Sequence, residues 1–163
     1  MAKQVFGNPK RLDSVDLTTY AVTATGASGT VTSSANISSL KPGQSIFLAF
    51  DGGSSGGYTS SGQYYVIPKS SGQIQVATTK QNAILRSPDL TASGNAGAGD
   101  IRPNVQIGGT IFVGTGGDIL ARGIESDSFE LIKNVADGQL LPYMLGDVAT
   151  SGTTASDILK ATH

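Results

Sequence analysis

Gln63-Tyr64-Tyr65-Val66-Ile67-Pro68-Lys69-Ser70-Ser71-Gly72-Gln73-Ile74-Gln75-Val76-Ala77-Thr78 decides how the rest of this chain reads. Its first limb is aromatic and β-branched, the composition of a strand. Its second limb alternates, with Ile74 and Val76 spaced by Gln73 and Gln75, the period of a strand with one buried face. Ser70-Ser71-Gly72 between them is turn chemistry, so the stretch reads as a hairpin. Tyr64 and Tyr65 are adjacent in a strand and point to opposite faces, which makes one of them core.

The same signature extends outward in both directions. Lys41-Pro42-Gly43-Gln44 is a turn in which Pro sets φ and Gly takes the left-handed position. It delivers the chain into the apolar run Ser45-Ile46-Phe47-Leu48-Ala49-Phe50. Upstream, Tyr20, Val22 and Ala24 alternate with Thr19, Ala21, Thr23 and Thr25, a turn follows at 26–29, and Thr30-Val31-Thr32 begins another short strand. Downstream, residues 106–113, 117–122, 128–132, 139–145 and 157–160 read as strands separated by Gly-rich or polar turns. Residues 80–86 alone lean toward helix, and Pro88 stops them. The Gly/Ser-rich stretches 51–62 and 91–100 are loops. Residues 1–16, aperiodic and carrying Pro9, read as an extended arm. The expectation is an all-β protein, an antiparallel β-sandwich or barrel with many short strands and an extended N-terminal arm. Residues 17–163 form one all-β domain, and the composition shift at 98–103 is the candidate place to subdivide it.

Composition limits what such a fold can do. Charged residues make up 14% of the chain, against about 25% in ordinary domains. Ser, Thr, Gly, Asn and Gln fill the deficit, and small uncharged polar groups suit surfaces that pack against another chain. Eleven basic and 12 acidic residues give a net charge of −1, which argues against nucleic acid as the main partner because counterion release needs a clustered positive face. No apolar run approaches membrane-spanning length, and Met1-Ala2-Lys3-Gln4 lacks the apolar core of a signal segment. The chain is expected to be soluble and made in the cytoplasm. There is no cysteine, so disulfides and thiolate chemistry are excluded.

Catalysis finds no footing in these residues. The one histidine, His163, is the last residue, leaving a Ser-His-Asp relay without a base. Ser28 in Gly26-Ala27-Ser28-Gly29 is a turn serine and not a nucleophile elbow. Gly114-Thr115-Gly116-Gly117-Asp118 follows an apolar strand as a phosphate loop would. It lacks the Lys-Ser/Thr pair and the helix, and Asp118 stands where phosphate would sit, so it reads as a hairpin turn. Glu125, Asp127 and Glu130 lie on a segment that alternates, with Phe129 and Leu131 on the other side, which is a solvated strand face. No cofactor and no metal site is expected. The candidate contact residues are Lys3, Phe6, Lys10 and Arg11 on the arm, with Tyr58 and Tyr64 beside the glycine-rich loop. Exposed tyrosines there would serve either a protein interface or a glycan platform.

Three segments resemble, in order and spacing, the spike-base proteins of phage-like gene transfer agents and related phage particle proteins. They are 108–119 (GGTIFVGTGGDI), 133–142 (KNVADGQLLP) and 149–159 (ATSGTTASDIL). The middle of the chain, from 63–67 through 74–79 to 82–84 and 89–91, resembles a small β-module of phage tail and capsid-surface proteins. The resemblance implies a head-associated location and many copies per particle, with no catalytic residues to carry over. The resulting expectation is a non-enzymatic capsid decoration or cement protein, or a head spike base, on the outer capsid surface of a virion. Its partners would be the major capsid protein and copies of itself, as a homo-oligomer with a trimer first. A tail or baseplate component and a glycan-binding adhesion module are the alternatives.

Overall fold

The computed structural model describes residues 11–51, 56–90, 98–126 and 128–162. In chain order the strands are β1 (Arg11–Ser14), β2 (Tyr20–Gly26), β3 (Thr30–Ser33), β4 (Ser45–Phe50), β5 (Gly62–Ser70) and β6 (Gln73–Ala77). They continue with β7 (Gly99–Thr115), β8 (Gly117–Gly123), β9 (Glu130–Val135), β10 (Gln139–Ala149) and β11 (Ser156–Thr162). A single 3-10 turn occupies Ala27–Gly29, and one short helix, α1, spans Lys80–Ile84. The protein is all-β, with antiparallel strand pairing. Two compact units divide between Asn104 and Val105, inside β7 and a little beyond the composition shift at 98–103.

The first unit, residues 17–104 with 149–151, is a closed six-stranded barrel. Around the ring the order is β2, β3, β6, β5, β4, the first part of β7, and β2 again. The Tyr64–Val76 hairpin forms as read, with Val66 opposite Val76. Ile46 of β4 faces Tyr64, and Leu48 faces Ile101 of β7. The ring closes where Tyr20 and Val22 pair with Ile101 and Gly99. The sequence left sandwich and barrel open; for this unit the structure is a barrel. The turn at 41–44 has the expected form: Gly43 sits at φ +72, and the Gln44 amide donates to the Lys41 carbonyl at 3.0 Å.

Alternation fills the barrel. Val22, Val31, Ile46, Leu48, Val66, Ile74, Val76 and Ile101 point inward and are buried together with Phe50, Tyr58 and Tyr64. At about 1.5–3 kcal/mol for each large apolar side chain, these residues supply most of the drive to fold this unit. Tyr65, on the other face of β5, packs outside the ring against Ile67, Ala77 and Ala83 of α1. Two sets of side-chain contacts fix the helix at its first turn. Thr79 caps it by accepting from the Asn82 amide at 3.1 Å. The Asp89 carboxylate accepts from the Thr78 amide (2.8 Å) and hydroxyl and from the Asn82 side-chain amide (2.8 Å). Those donors, the Thr78 hydroxyl foremost, hold the Asp89 carboxyl below its ordinary value.

The second unit comprises residues 1–16, 105–148 and 152–163. Its strands run in the order β1, β11, β7, β10, β8, β9. Ser14 pairs with Leu159, Leu159 with Phe112, Ala121 with Val148, and Leu120 with Leu131. Ile111, Val113, Ile119, Ala121, Leu141, Leu145 and Ile158 are buried. Among the described residues this sheet ends in two strands with one neighbour each, β1 and β9. Here the expected arm is revised. Residues 11–14 are a sheet strand, and Val15, whose amide donates to the Ile158 carbonyl at 2.7 Å, is buried. Residues 1–10 lie outside the described residues.

Tyr58 shows what holds the barrel's end together. Its ring meets Phe50 and Tyr64 edge-on, at 5.7 and 6.4 Å between centroids. Its hydroxyl lies 2.7 Å from the Gly26 carbonyl and 2.8 Å from the Thr30 carbonyl, tying the two ends of the β2–β3 connection. Burial, with the neighbouring Tyr64 adding to it, pushes the Tyr58 hydroxyl up to about 12. An unfolded tyrosine ionises near about 10. The protonated hydroxyl therefore contributes stability in full below about pH 10, and that contribution is lost as pH rises toward 12. Tyr58→Phe is expected to cost about 1–2 kcal/mol at pH 7 by removing the one hydroxyl proton shared between the two carbonyls. It should also flatten the fall in stability between about pH 10 and pH 12. Urea midpoints for both proteins across that range check this; parallel curves would remove Tyr58 as the source.

Candidate functional site

Apart from residues 149–151, which belong to the barrel unit, the three segments that carry the resemblance lie in the second unit. β7 ends at Thr115 and β8 starts at Gly117, so Gly116 is the whole connection. Around it the other two segments close in. The Asp137 carboxylate accepts from the Gly116 amide at 2.6 Å, and the Gly138 amide donates to the Gly114 carbonyl at 3.3 Å. The Thr154 hydroxyl accepts from the Asp118 amide at 2.9 Å, while the Asp118 carbonyl takes the Thr154 amide at 2.8 Å. The Asp118 carboxylate accepts from the Asn134 amide at 2.9 Å, and Thr115 donates its hydroxyl to Asp157 at 2.8 Å.

This arrangement decides what the loop can do. A phosphate loop offers free amides to an anion. Here the Gly116 and Asp118 amides are already given to Asp137 and Thr154, and the Asp118 side chain serves β9. The glycines are required by crowding. A Cβ on Gly116 would lie 2.3 Å from the Val135 carbonyl oxygen, and one on Gly117, at φ +156, would lie 2.7 Å from the Ala155 amide. Asp118, Asp137 and Asp157 each serve a different donor. Among the described residues no group of three or more acidic or histidine side chains is placed to hold a metal ion. The segment is a knot that fixes where three strands meet.

The candidate contact residues fare differently. Lys3, Phe6 and Lys10 lie outside the described residues, and Arg11 opens β1 opposite Thr162. Tyr58 and Tyr64 are corrected: they are 2% and 5% exposed, inside the barrel. The glycine-rich loop beside them suggested a surface, but the alternation that puts Val66 inward puts Tyr64 inward too. Tyr58 is held by two backbone carbonyls. Neither can anchor a partner or stack on a sugar.

What the sequence reading missed is a set of outward-facing apolar side chains. Of the large hydrophobics exposed among the described residues, Leu12, Phe112, Ile124, Leu131, Leu140, Tyr143 and Met144 belong to the second unit. Only Ile84 and Leu85 belong to the barrel unit. Leu131, which alternation sets on the face opposite Glu130, is exposed as well. β10 explains part of the pattern. Leu141 and Leu145 are buried, and Pro142, Tyr143 and Met144 between them are all exposed, so simple alternation fails there. Ile124 adjoins this stretch, its amide donating to the Met144 carbonyl at 3.3 Å. Arg122 alongside is not free. It is paired with Asp147 and lies 5.4 Å over the Phe129 ring. The run Tyr143-Met144 in a chain with five tyrosines and two methionines was the available signal.

No protein-family model matches the chain, and searches of curated proteins and of solved structures find no match either.

The knot generates a direct test. Gly116→Ala should destabilise the protein by about 1–3 kcal/mol, because the Val135 carbonyl must move to admit a methyl group. Gly109 sits in β7, the strand that leads to Gly116, where an added Cβ would meet nothing nearer than 3.7 Å. Gly109→Ala should be neutral or stabilising by up to about 1 kcal/mol. Urea denaturation of both variants checks the contrast, and equal losses would mean the crowding is relieved at no cost.

Proposed function

We propose that this chain is a non-enzymatic structural protein of a phage particle. In that reading it is a capsid decoration or cement protein, or a head spike base, on the outer surface of the head. The observation that carries the reading is the unequal distribution of association surface. One unit is a closed barrel with almost no exposed large apolar side chain. The other keeps two sheet edges and seven exposed large apolar side chains among the described residues. Exposed apolar patches and unpaired edges are what proteins use to join other chains. The resemblance over 108–119, 133–142 and 149–159 supplies the phage context, and no residue is assigned a catalytic role.

The mechanism is associative. Many copies each make a modest contact with the major capsid protein and with one another, and repetition over the head gives avidity without a tight single site. The glycan-binding alternative drew on Tyr58, Tyr64 and Tyr65; Tyr58 and Tyr64 are in the barrel core, and Tyr65 is half-buried on the outer face against Ile67, Ala77 and Ala83. The tail or baseplate alternative differs only in where the protein sits.

Binding to purified heads tests this. The full chain should co-sediment with heads to saturation and raise the temperature at which they release DNA. Tyr143→Asp, which places a charge in the apolar set, should lower apparent affinity about tenfold or more. A form lacking residues 1–10 but keeping β1 tests the arm separately from the fold. Binding to tails but not heads would favour the baseplate alternative, and binding to neither would overturn the reading.

A further inference from the structure

The charges of the chain are divided between its units. The unit containing residues 105–148 holds six Lys and Arg against nine Asp and Glu, and the barrel unit holds five against three. The overall balance of −1 therefore hides one acidic and one basic unit. Each carries exposed apolar residues next to charges of its own sign.

On the barrel unit these are Ile84 and Leu85, at the end of α1, 53% and 64% exposed, with the exposed cations Lys80 and Arg86 beside them. Their position is fixed. α1 packs through Ala83 on the outside of the ring, Asp89 holds its first turn, and the Ile84 side chain lies against Gly43. On the other unit they are Ile124, Tyr143 and Met144, joined by the Ile124–Met144 backbone bond and bordered by the exposed carboxylate of Glu125. Both sets are exposed.

We propose that these two surfaces bind each other between copies of the chain. The Ile84-Leu85 knob of one copy seats on the Ile124–Tyr143–Met144 corner of the next, with Lys80 and Arg86 facing Glu125. The occupant is identified by complementarity: an apolar knob with a cationic border meets an apolar corner with an anionic one. Two different patches make a head-to-tail contact, which continues from copy to copy until rotation closes a ring. The charges set register and encounter rate, and the apolar contact sets lifetime. The inference deepens the associative reading by naming how copies join, and it uses no capsid.

Sedimentation velocity of the purified full chain, without heads, tests it. The wild-type chain should associate with rising concentration, and more weakly on going from about 0.05 M to about 0.5 M salt. Leu85→Asp and Met144→Asp should each weaken association about tenfold or more. Arg86→Glu and Glu125→Lys should each associate poorly alone. Mixed together they should recover association to within about threefold of wild type, because each supplies the surface the other needs. Recovery on mixing also certifies that both variants are folded. A wild-type chain that stays monomeric, substitutions without effect, or a mixture that fails to recover would overturn the proposal. Head binding by a monomeric chain would leave the capsid reading standing while removing this one, and self-association without head binding would do the reverse.

Discussion

The pairing of Tyr20–Val22 with Gly99–Ile101 is the contact on which the barrel depends. Without it, β2 and β7 would each present a row of unpaired amides and carbonyls, an invitation to any passing strand. With it, six strands form a ring, and every inward side chain from Val22 to Ile101 has neighbours on all sides. Six is an even number, so antiparallel pairing can run round the ring without conflict. The 3-10 turn after β2 and the Tyr58 hydroxyl that bridges Gly26 and Thr30 hold the first pair in shape for that closure.

Much of this was legible in the residues. Ser45–Phe50, the Tyr64–Val76 hairpin, the Pro42-Gly43 turn and the short helix after Thr79 all follow from periodicity and turn chemistry. Those are local properties of the backbone and of neighbouring side chains. β7 was less legible. Its 17 residues carry Pro103 and, at Gly108, a left-handed glycine; these signals read as breaks, and only partners on both sides keep the strand continuous. β1 was hidden because four residues with mixed charge have no periodicity of their own, and β11 supplies the template. The tyrosines failed for a different reason. A glycine-rich loop signals exposure of the loop, not of the side chains that flank it.

The candidate site was legible in one sense and not in another. The segments 108–119, 133–142 and 149–159 stand out as motifs, and their hydrogen bonds give a physical reason. Glycines that allow carbonyls within van der Waals distance, and aspartates that take single amides, cannot be exchanged freely where three strands meet. That is a constraint on folding, and it locates no ligand. The surfaces that bear on association, Ile84-Leu85 and Ile124 with Tyr143-Met144, have no motif. They emerge only when burial separates the hydrophobics that fill the core from those that do not.

Closing the ring also has a cost in time. Tyr20 and Ile101 meet across 81 positions of chain, so their pairing must wait while a long loop surrenders its freedom. The hairpins β2–β3 and β5–β6 span only short turns and form first, which leaves the seam between β2 and β7 among the last contacts made. During that interval β2 and the first part of β7 each keep a free edge. The yield of correctly folded chain then depends on how fast that seam closes relative to encounters with other copies.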